Sequence, residues 1–420
     1  MSYRAYCRIP SINKSKFRHL AGGCPQLLDD LISELAGAVE VHIAAYLFNS
    51  PIYFEALKNL ANNGCKIYVT SLPINGYSDK KVPLETYTEK VSGRDMAKHI
   101  YEKIYNNNNM ELLIFPHMYM WYGALYAGGG ASYSFHVKAV LVKYSNNKYK
   151  SILSSGNFMC TDPLHSDNLL VIDDNHEYNK IFQRFFNDVE NIAIPFSNYV
   201  ERYNSVKNDF DYTFLGNEID LSCSDVEKCF FTAPFYNIEG QRSNHYAGKR
   251  LVEIIQSAQS RIWICAQHLH DVSTYDGSVE NTIVKSIHDL WQSNPSIKLR
   301  FLKQVGHSSL SDKRRAAITE ILSQFVFKSE QRINKLVHDK FIIIDDTLIV
   351  TTSNYTPTQF AAGERKMEME IDGDKCVKRD VFSEVNGFVI IPNCPKNLLQ
   401  DYENHFNLLW NAGTDISVNL

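Results

Sequence analysis

The chain writes one short pattern twice, and that repetition restricts its fold more than any other feature. Residues 134–158 read SFHVKAVLVKYSNNKYKSILSSGNF and residues 336–356 read LVHDKFIIIDDTLIVTTSNYT. Each copy places a histidine and a lysine two apart on an apolar strand, then a turn, then a hydroxyl-rich stretch that ends in asparagine. Alternate residues of a strand share a face, so His136 lies beside Lys138 and His338 beside Lys340. The returning strand carries Asn157, and in the second copy Asn354, back level with the pair; the first hairpin is five residues longer. With 14 histidines in the chain, about one His-x-Lys is expected by chance, so a single copy would say little. Two copies at the same place in a repeated frame say more.

The frame is repeated as well. CPQLLDDLISEL predicts a helix with Pro25 in its first turn and Leu28, Leu31 and Leu35 on one face. EVHIAAYLF follows as a buried strand. SPIYFEALKNLANNG predicts a helix capped by Ser50 and stopped at Asn63-Gly64, before the strand CKIYVTSL. Two hundred residues on, GKRLVEIIQSAQS (Leu251, Ile254, Ile255, Ala258) is a helix and RIWICAQHL a strand. VENTIVKSIHDLWQ (Ile283, Ile287, Leu290, Trp291) is the next helix, broken at Asn294-Pro295 before the strand SIKLRFLK. Each half then reaches its His-x-Lys strand and ends in a helix, YNKIFQRFFNDV or LLQDYENHFNLLW. Strands alternating with helices predict an α/β fold with a parallel sheet covered by helices. A first repeat over 1–205, a linker over 206–228 and a second repeat over 229–420 account for the length.

A phosphodiester needs positive charge and hydrogen-bond donors on its non-bridging oxygens, where charge builds in the transition state. Lysine and the asparagine amide supply both. It also needs a nucleophile and a proton donor on opposite sides of phosphorus, and histidine can be either because it titrates near neutrality. Two His-Lys-Asn sets facing each other supply one histidine for each role. The competing reading is a pair of packed or exposed histidines, and the duplication argues against it.

These motifs resemble the phospholipase D superfamily, whose signature is HxKxxxxD followed by GSxN, present twice. HDKFIIID matches in full with His338, Lys340 and Asp345, whereas HVKAVLVK keeps His136 and Lys138 but has Lys143 at the Asp position. Ser154-Ser155-Gly156-Asn157 and Thr351-Thr352-Ser353-Asn354 stand at the GSxN elements. The resemblance implies a duplicated phospholipase D-like α/β sandwich with one site at the interface of its repeats. It implies a phosphohistidine mechanism using no metal and no cofactor, with His136 as nucleophile and His338 as acid and base. Lys138, Lys340, Asn157 and Asn354 would grip the phosphate, Asp345 would support them, and Ser155 and Thr352 would contact substrate. A downstream carboxylate orients the partner repeat's histidine in this family. KMEMEID offers Glu370 for His136, with Glu368 one pleat away; SDNLLVI has Leu170 at the matching place, so His338 lacks such a partner unless Asp167 moves in.

QHLHD sets His268 and His270 at strand spacing beside Asp271. Metal binding needs further ligands that the sequence does not supply, so these histidines are expected to meet substrate. HMYMWYGALYAGGGASYSF runs into His136 and admits three readings: core and loop, a platform for stacking bases, or a wedge for lipid. Arg365 and Lys366 could hold a second phosphate, although exposed charge is the simpler account.

The balance of 43 Lys plus Arg against 47 Asp plus Glu gives no global attraction to nucleic acid or anionic membranes. Nine cysteines without a CxxC pair point to reduced thiols and a cytoplasmic setting. The opening MSYRAYCRIPSINKSKF has no apolar leader core, and no run reaches the ~18–20 apolar residues of a membrane span. The expectation is therefore a phosphodiesterase that needs no dimer for its chemistry and at most visits a membrane surface. A phospholipid headgroup ester is the favoured substrate; a nuclease acting on DNA or RNA and a degenerate phosphate-binding module are the alternatives.

Overall fold

The structure is a computed structural model. It describes residues 2–10, 25–46, 48–71, 93–115, 135–158, 165–198, 219–269, 282–304, 327–360, 365–367, 370–371, 374–375, 379–381 and 384–416. Two eight-stranded sheets dominate it. The first holds β1 (Ser2–Arg8), β2 (Ala38–Ala45), β3 (Lys66–Ser71), β4 (Met110–Ile114), β5 (Lys138–Tyr144), β6 (Tyr149–Ser154), β7 (Asp167–Asp173) and β8 (Ile194–Pro195). The second holds β9 (Cys229–Thr232), β10 (Arg261–Ala266), β11 (Lys298–Lys303), β12 (Glu330–Ile333), β13 (Lys340–Ile344), β14 (Thr347–Thr351), β15 (Asn386–Ile391) and β16 (Thr414–Asp415).

The first sheet runs β1-β7-β6-β5-β2-β3-β4-β8 and the second β9-β15-β14-β13-β10-β11-β12-β16, the same order with every strand advanced by eight. Only β2-β3-β4 and β10-β11-β12 are parallel; the remaining pairs are antiparallel. The expected parallel sheet is thus a mixed one. Short turns such as the one after β5 can join only antiparallel neighbours, whereas the helical crossovers give parallel ones.

Helices α1 (Pro25–Glu34), α2 (Pro51–Asn62) and α3 (Gly93–Tyr105) cover the outer face of the first sheet, where Val41, Ile43, Leu57 and Ile100 form its core. The Ser50 hydroxyl accepts from Tyr53 N at 3.3 Å and Gly64 ends α2 at φ +90°, so the sequence signals act where expected. The inner face shares one continuous core with the second half. There α4 (His176–Ile192) packs on β9 and α7 (Lys396–Asn411) packs on β1, so each half's last helix lies on the other half's first strand.

In the second half α5 (Ser243–Gln256) starts five residues before the expected Gly248, and α6 (Ile283–Ser293) starts four after Val279. Thr282 decides the latter, its hydroxyl accepting from Lys285 N at 3.2 Å. Most of the expected linker lies outside the described residues. Its end is structured: Ile219–Leu221 pairs in parallel with Tyr236–Ile238, and Cys223–Val226 forms one helical turn. Among the described residues six cysteines are free thiols, and no helix is long and apolar enough to cross a membrane.

Candidate active site

His136 and His338 each stand two residues ahead of a central strand whose first residue is the lysine, Lys138 or Lys340. The sequence reading put histidine and lysine on one strand; the structure puts each histidine just before it. Both lysines are fully buried, and each ammonium donates to its own histidine's carbonyl, at 2.6 Å for Lys138. Burying an ammonium costs several kcal/mol, so these two lysines stand apart from the chain's exposed ones. Tyr46, past β2, lays its ring edge-on to His136 with centroids 5.6 Å apart and lies 5.8 Å under the Lys138 ammonium.

The strand registers relate the halves residue by residue. Ala139 faces Leu153 as Phe341 faces Val350, and Ser154 faces Leu169 as Thr351 faces Phe388. Ser155 therefore matches Thr352, Asn157 matches Asn354, Asp167 matches Asn386, and His165 matches Glu384. Each histidine is held by the opposite half. His338 Nδ1 lies 2.8 Å from Asp167 Oδ1, and His136 Nδ1 lies 3.0 Å from Asn386 Oδ1. Both oxygens accept, so both Nδ1 atoms donate. The hydroxyls complete the symmetry: Ser155 donates to Asp167 Oδ1 at 2.8 Å, and Thr352 donates to Asn386 Oδ1 at 3.0 Å.

The partners differ in charge, and the electrostatics differ with them. Burial, with Lys138, Lys340 and His338 close by, pushes His136 well below the ordinary imidazole value, so its ring is neutral at neutral pH. His338 faces the Asp167 carboxyl where His136 faces an amide. Burial and the neighbouring Asp339 raise Asp167, while Lys340 and the Ser155 hydroxyl hold it back. Asp339 is itself lowered; His405 and Ser166 bond it, as does Asn168 Nδ2 at 2.9 Å. The backbone N–H of His338 donates to Ser166 O at 3.2 Å, so the second histidine is tied to β7 by main chain as well.

Several expected site residues take other parts. Ser155 and Thr352 are buried and committed to Asp167 and Asn386; they hold the histidines' partners and are not open to substrate. Asp345 is at the far end of β13, in a turn at φ +51°. It accepts from the backbone N–H groups of Gln259 (2.7 Å), Ser260 (2.9 Å) and Arg261 (3.0 Å). It caps the loop before β10 and takes no part at the histidines. Lys143 occupies the matching place; it faces Glu40 across the strands, 3.7 Å away, beside a register shift between Ala38 and Glu40 that reshapes the loop.

Glu370 lies on the short strand Glu370–Ile371, and the position expected for it at His136 Nδ1 is taken by Asn386, with Glu384 Oε2 3.6 Å away. Glu384, Asn386 and Asp339 are the residues that sequence reasoning missed. Twelve residues separate Ser155 from Asp167 but 34 separate Thr352 from Asn386, so an insertion hid the equivalence.

Asn157 and Asn354 follow β6 and β14, and the Asn354 amide oxygen is buried without a hydrogen-bond donor among the described residues. His268 sits just past β10, its carbonyl accepting from Tyr355 N at 3.0 Å. His270, Asp271, the segment 117–134 and Glu368 lie outside the described residues. Among the described residues no cluster of three or more His, Cys, Asp or Glu side chains suits a metal. A cavity of about 330 Å³ beside α4, lined by Lys180, Arg184 and Phe230, shares no residue with either His-Lys pair.

The fold is a duplicated α/β sandwich with two His-Lys pairs meeting at its seam. The family described as "Cardiolipin synthase, PLD-like domain" matches residues 251–379. No curated protein sequence matches the chain. Among solved structures, polyphosphate kinase from Porphyromonas gingivalis is similar at TM-score 0.54 and 9% identity, over 97% of this chain and 50% of that one; this chain spans half the kinase's length. That likeness concerns the fold. Yeast tyrosyl-DNA phosphodiesterase gives TM-score 0.47 and 9% identity over 93% of this chain and 88% of that one. The phospholipase D family member Nuc from Salmonella typhimurium gives 0.25 and 16% over 39% and 87%. The family match thus covers part of the second half, the stretch that holds His338, Lys340 and Asn354.

Proposed function

We propose that the protein is a phosphodiesterase that works through a phosphohistidine on His136. The observation that carries the reading is the unequal backing of two equivalent histidines, an amide behind His136 and a carboxylate behind His338. A nucleophile must be unprotonated and a general acid protonated. His136, neutral and fixed as Nδ1–H, offers the Nε2 lone pair to phosphorus. His338, backed by Asp167, gives its Nε2 proton to the leaving oxygen as the P–O bond breaks. It then takes a proton from water, whose oxygen attacks phosphorus and returns the electron pair to His136 Nε2. An alcohol in place of water gives transfer. Lys138, Lys340, Asn157 and Asn354 bind the non-bridging oxygens.

The substrate class we favour is a phospholipid headgroup ester, in keeping with the name of the matched family and with the chain's lack of excess positive charge. The test is hydrolysis of labelled phosphatidylcholine–phosphatidylglycerol vesicles beside labelled single- and double-stranded DNA in excess EDTA, with His136→Ala and Lys340→Ala as controls. Lipid cleavage lost in both variants is the expected result. DNA cleavage alone would replace the substrate class and keep the chemistry; binding without turnover would leave a phosphate-binding module.

A further inference from the structure

The cavity beside α4 is built from both halves of the chain. Ile181 and Phe185 of α4 line one wall, and Leu221, Val226, Phe230, Phe231 and Tyr236 of the second half line the other. Phe185 and Phe231 stack with ring centroids 3.9 Å apart and close its floor. All of these side chains except Ile181 are buried, yet about 330 Å³ between them is left unfilled. That volume falls at the small end of the ~300–1,000 Å³ of ligand sites. Apolar walls with nothing against them forfeit dispersion contacts, which an apolar occupant restores. A polar occupant finds little inside. The Tyr236 hydroxyl already donates to Asp188 at 2.6 Å, and no buried side-chain polar atom of the walls lacks a partner among the described residues.

The rim carries the opposite character. Lys180 and Arg184 stand four apart on the exposed side of α4 and both border the cavity. Neither makes an ion pair among the described residues. The two acidic residues of the rim are engaged: Glu177 pairs with Lys228 at 3.1 Å, and Asp225 accepts from the Ser222 hydroxyl at 2.7 Å. An apolar slot with two unpaired cations at its mouth matches a molecule with a hydrocarbon body and one anionic end. We propose that this cavity binds a single-chain fatty-acyl anion, its tail between α4 and β9 and its carboxylate at Lys180 and Arg184. A nucleotide or a sugar would bring polar groups that these walls cannot bond. The assignment does not depend on which reaction the two histidines perform, because the cavity shares no residue with either His-Lys pair.

Isothermal titration calorimetry on the full chain tests this, with hexanoate, octanoate and decanoate each below its micelle concentration. One molecule is expected to bind per chain, its affinity rising about fourfold for each added methylene that leaves water. Decanol keeps the tail and loses the charge, and is expected to bind at least tenfold more weakly than decanoate. Lys180→Ala combined with Arg184→Ala should bring decanoate down to the level of decanol and leave decanol unchanged. Both positions are exposed, so the fold is not at stake. Ser224→Trp, also on the exposed rim, should block both ligands. Failure of decanoate to bind, an affinity indifferent to chain length, or decanol binding as tightly as decanoate overturns the proposal. So does wild-type decanoate binding in either variant.

Discussion

Asp167→Asn removes one charge from the site and leaves its shape. The second half already demonstrates that an amide fits, since Asn386 occupies the matching place with the same hydroxyl and histidine bonds. The magnitude follows from the 2.8 Å contact between Asp167 Oδ1 and His338 Nδ1. At an effective dielectric of ~20, opposite charges ~4 Å apart attract by about 4 kcal/mol. The asparagine oxygen keeps a neutral hydrogen bond of about 1 kcal/mol. The net loss of ~2–3 kcal/mol falls on the protonated form of His338, and so on its power as an acid. That corresponds to about 30–150-fold in rate for a diester with an alkoxide leaving group. The burst of p-nitrophenolate from bis(p-nitrophenyl) phosphate, whose leaving group needs no proton, is expected to stay within about threefold of wild type. Rapid-quench assays on the two diesters separate the outcomes. Equal losses on both substrates, or none on either, would refute the assignment of His338 as the acid.

Asp345→Ala is expected to cost about 2–4 kcal/mol, from lost charge-assisted bonds to the 259–261 backbone and from alanine at positive φ. Activity per folded molecule should stay within about twofold of wild type, so denaturant titration with parallel kinetics checks it; a selective loss of activity would return Asp345 to the site. Hydrogen bonding lowers the Asp345 carboxyl below its ordinary value. Its stabilisation is therefore complete above about pH 4 and fades as pH falls through the folded value, so the stability gap between wild type and Asp345→Asn should close in acid. Gly387→Ala would set a Cβ 2.7 Å from Leu153 Cδ1 and 2.9 Å from Phe231 Cε1. It should destabilise by about 1–3 kcal/mol, with partial recovery on adding Leu153→Ala; a neutral Gly387→Ala would contradict the close packing of the halves.

The duplicated frame was legible because its signals are local. Pro51 after Ser50, the Asn63-Gly64 stop and the apolar spacing of α6 each act within a turn or two, so they read correctly one residue at a time. The His-Lys pairs were legible for a different reason, a repeated spacing that chance seldom supplies twice. What could not be read were contacts made by the opposite half. Asp167 was visible only as a possible partner for His338, and Asn386 was hidden because it follows Thr352 by 34 residues where Asp167 follows Ser155 by 12. The hydroxyls of Ser155 and Thr352 looked available because sequence carries no burial; the fold turns both toward the histidines' partners. Asp345 shows the opposite error, a motif residue whose regular spacing reflects a loop that must be capped.

The measurement closest to the central claim is the location of the covalent intermediate. Wild-type protein would be mixed with a 32P-labelled diester, quenched in alkali to preserve phosphohistidine, digested and mapped by mass spectrometry. The account predicts label on the peptide containing His136, absent from His136→Ala and retained in Asp167→Asn. Label on His338, or turnover with no labelled histidine at all, would contradict it.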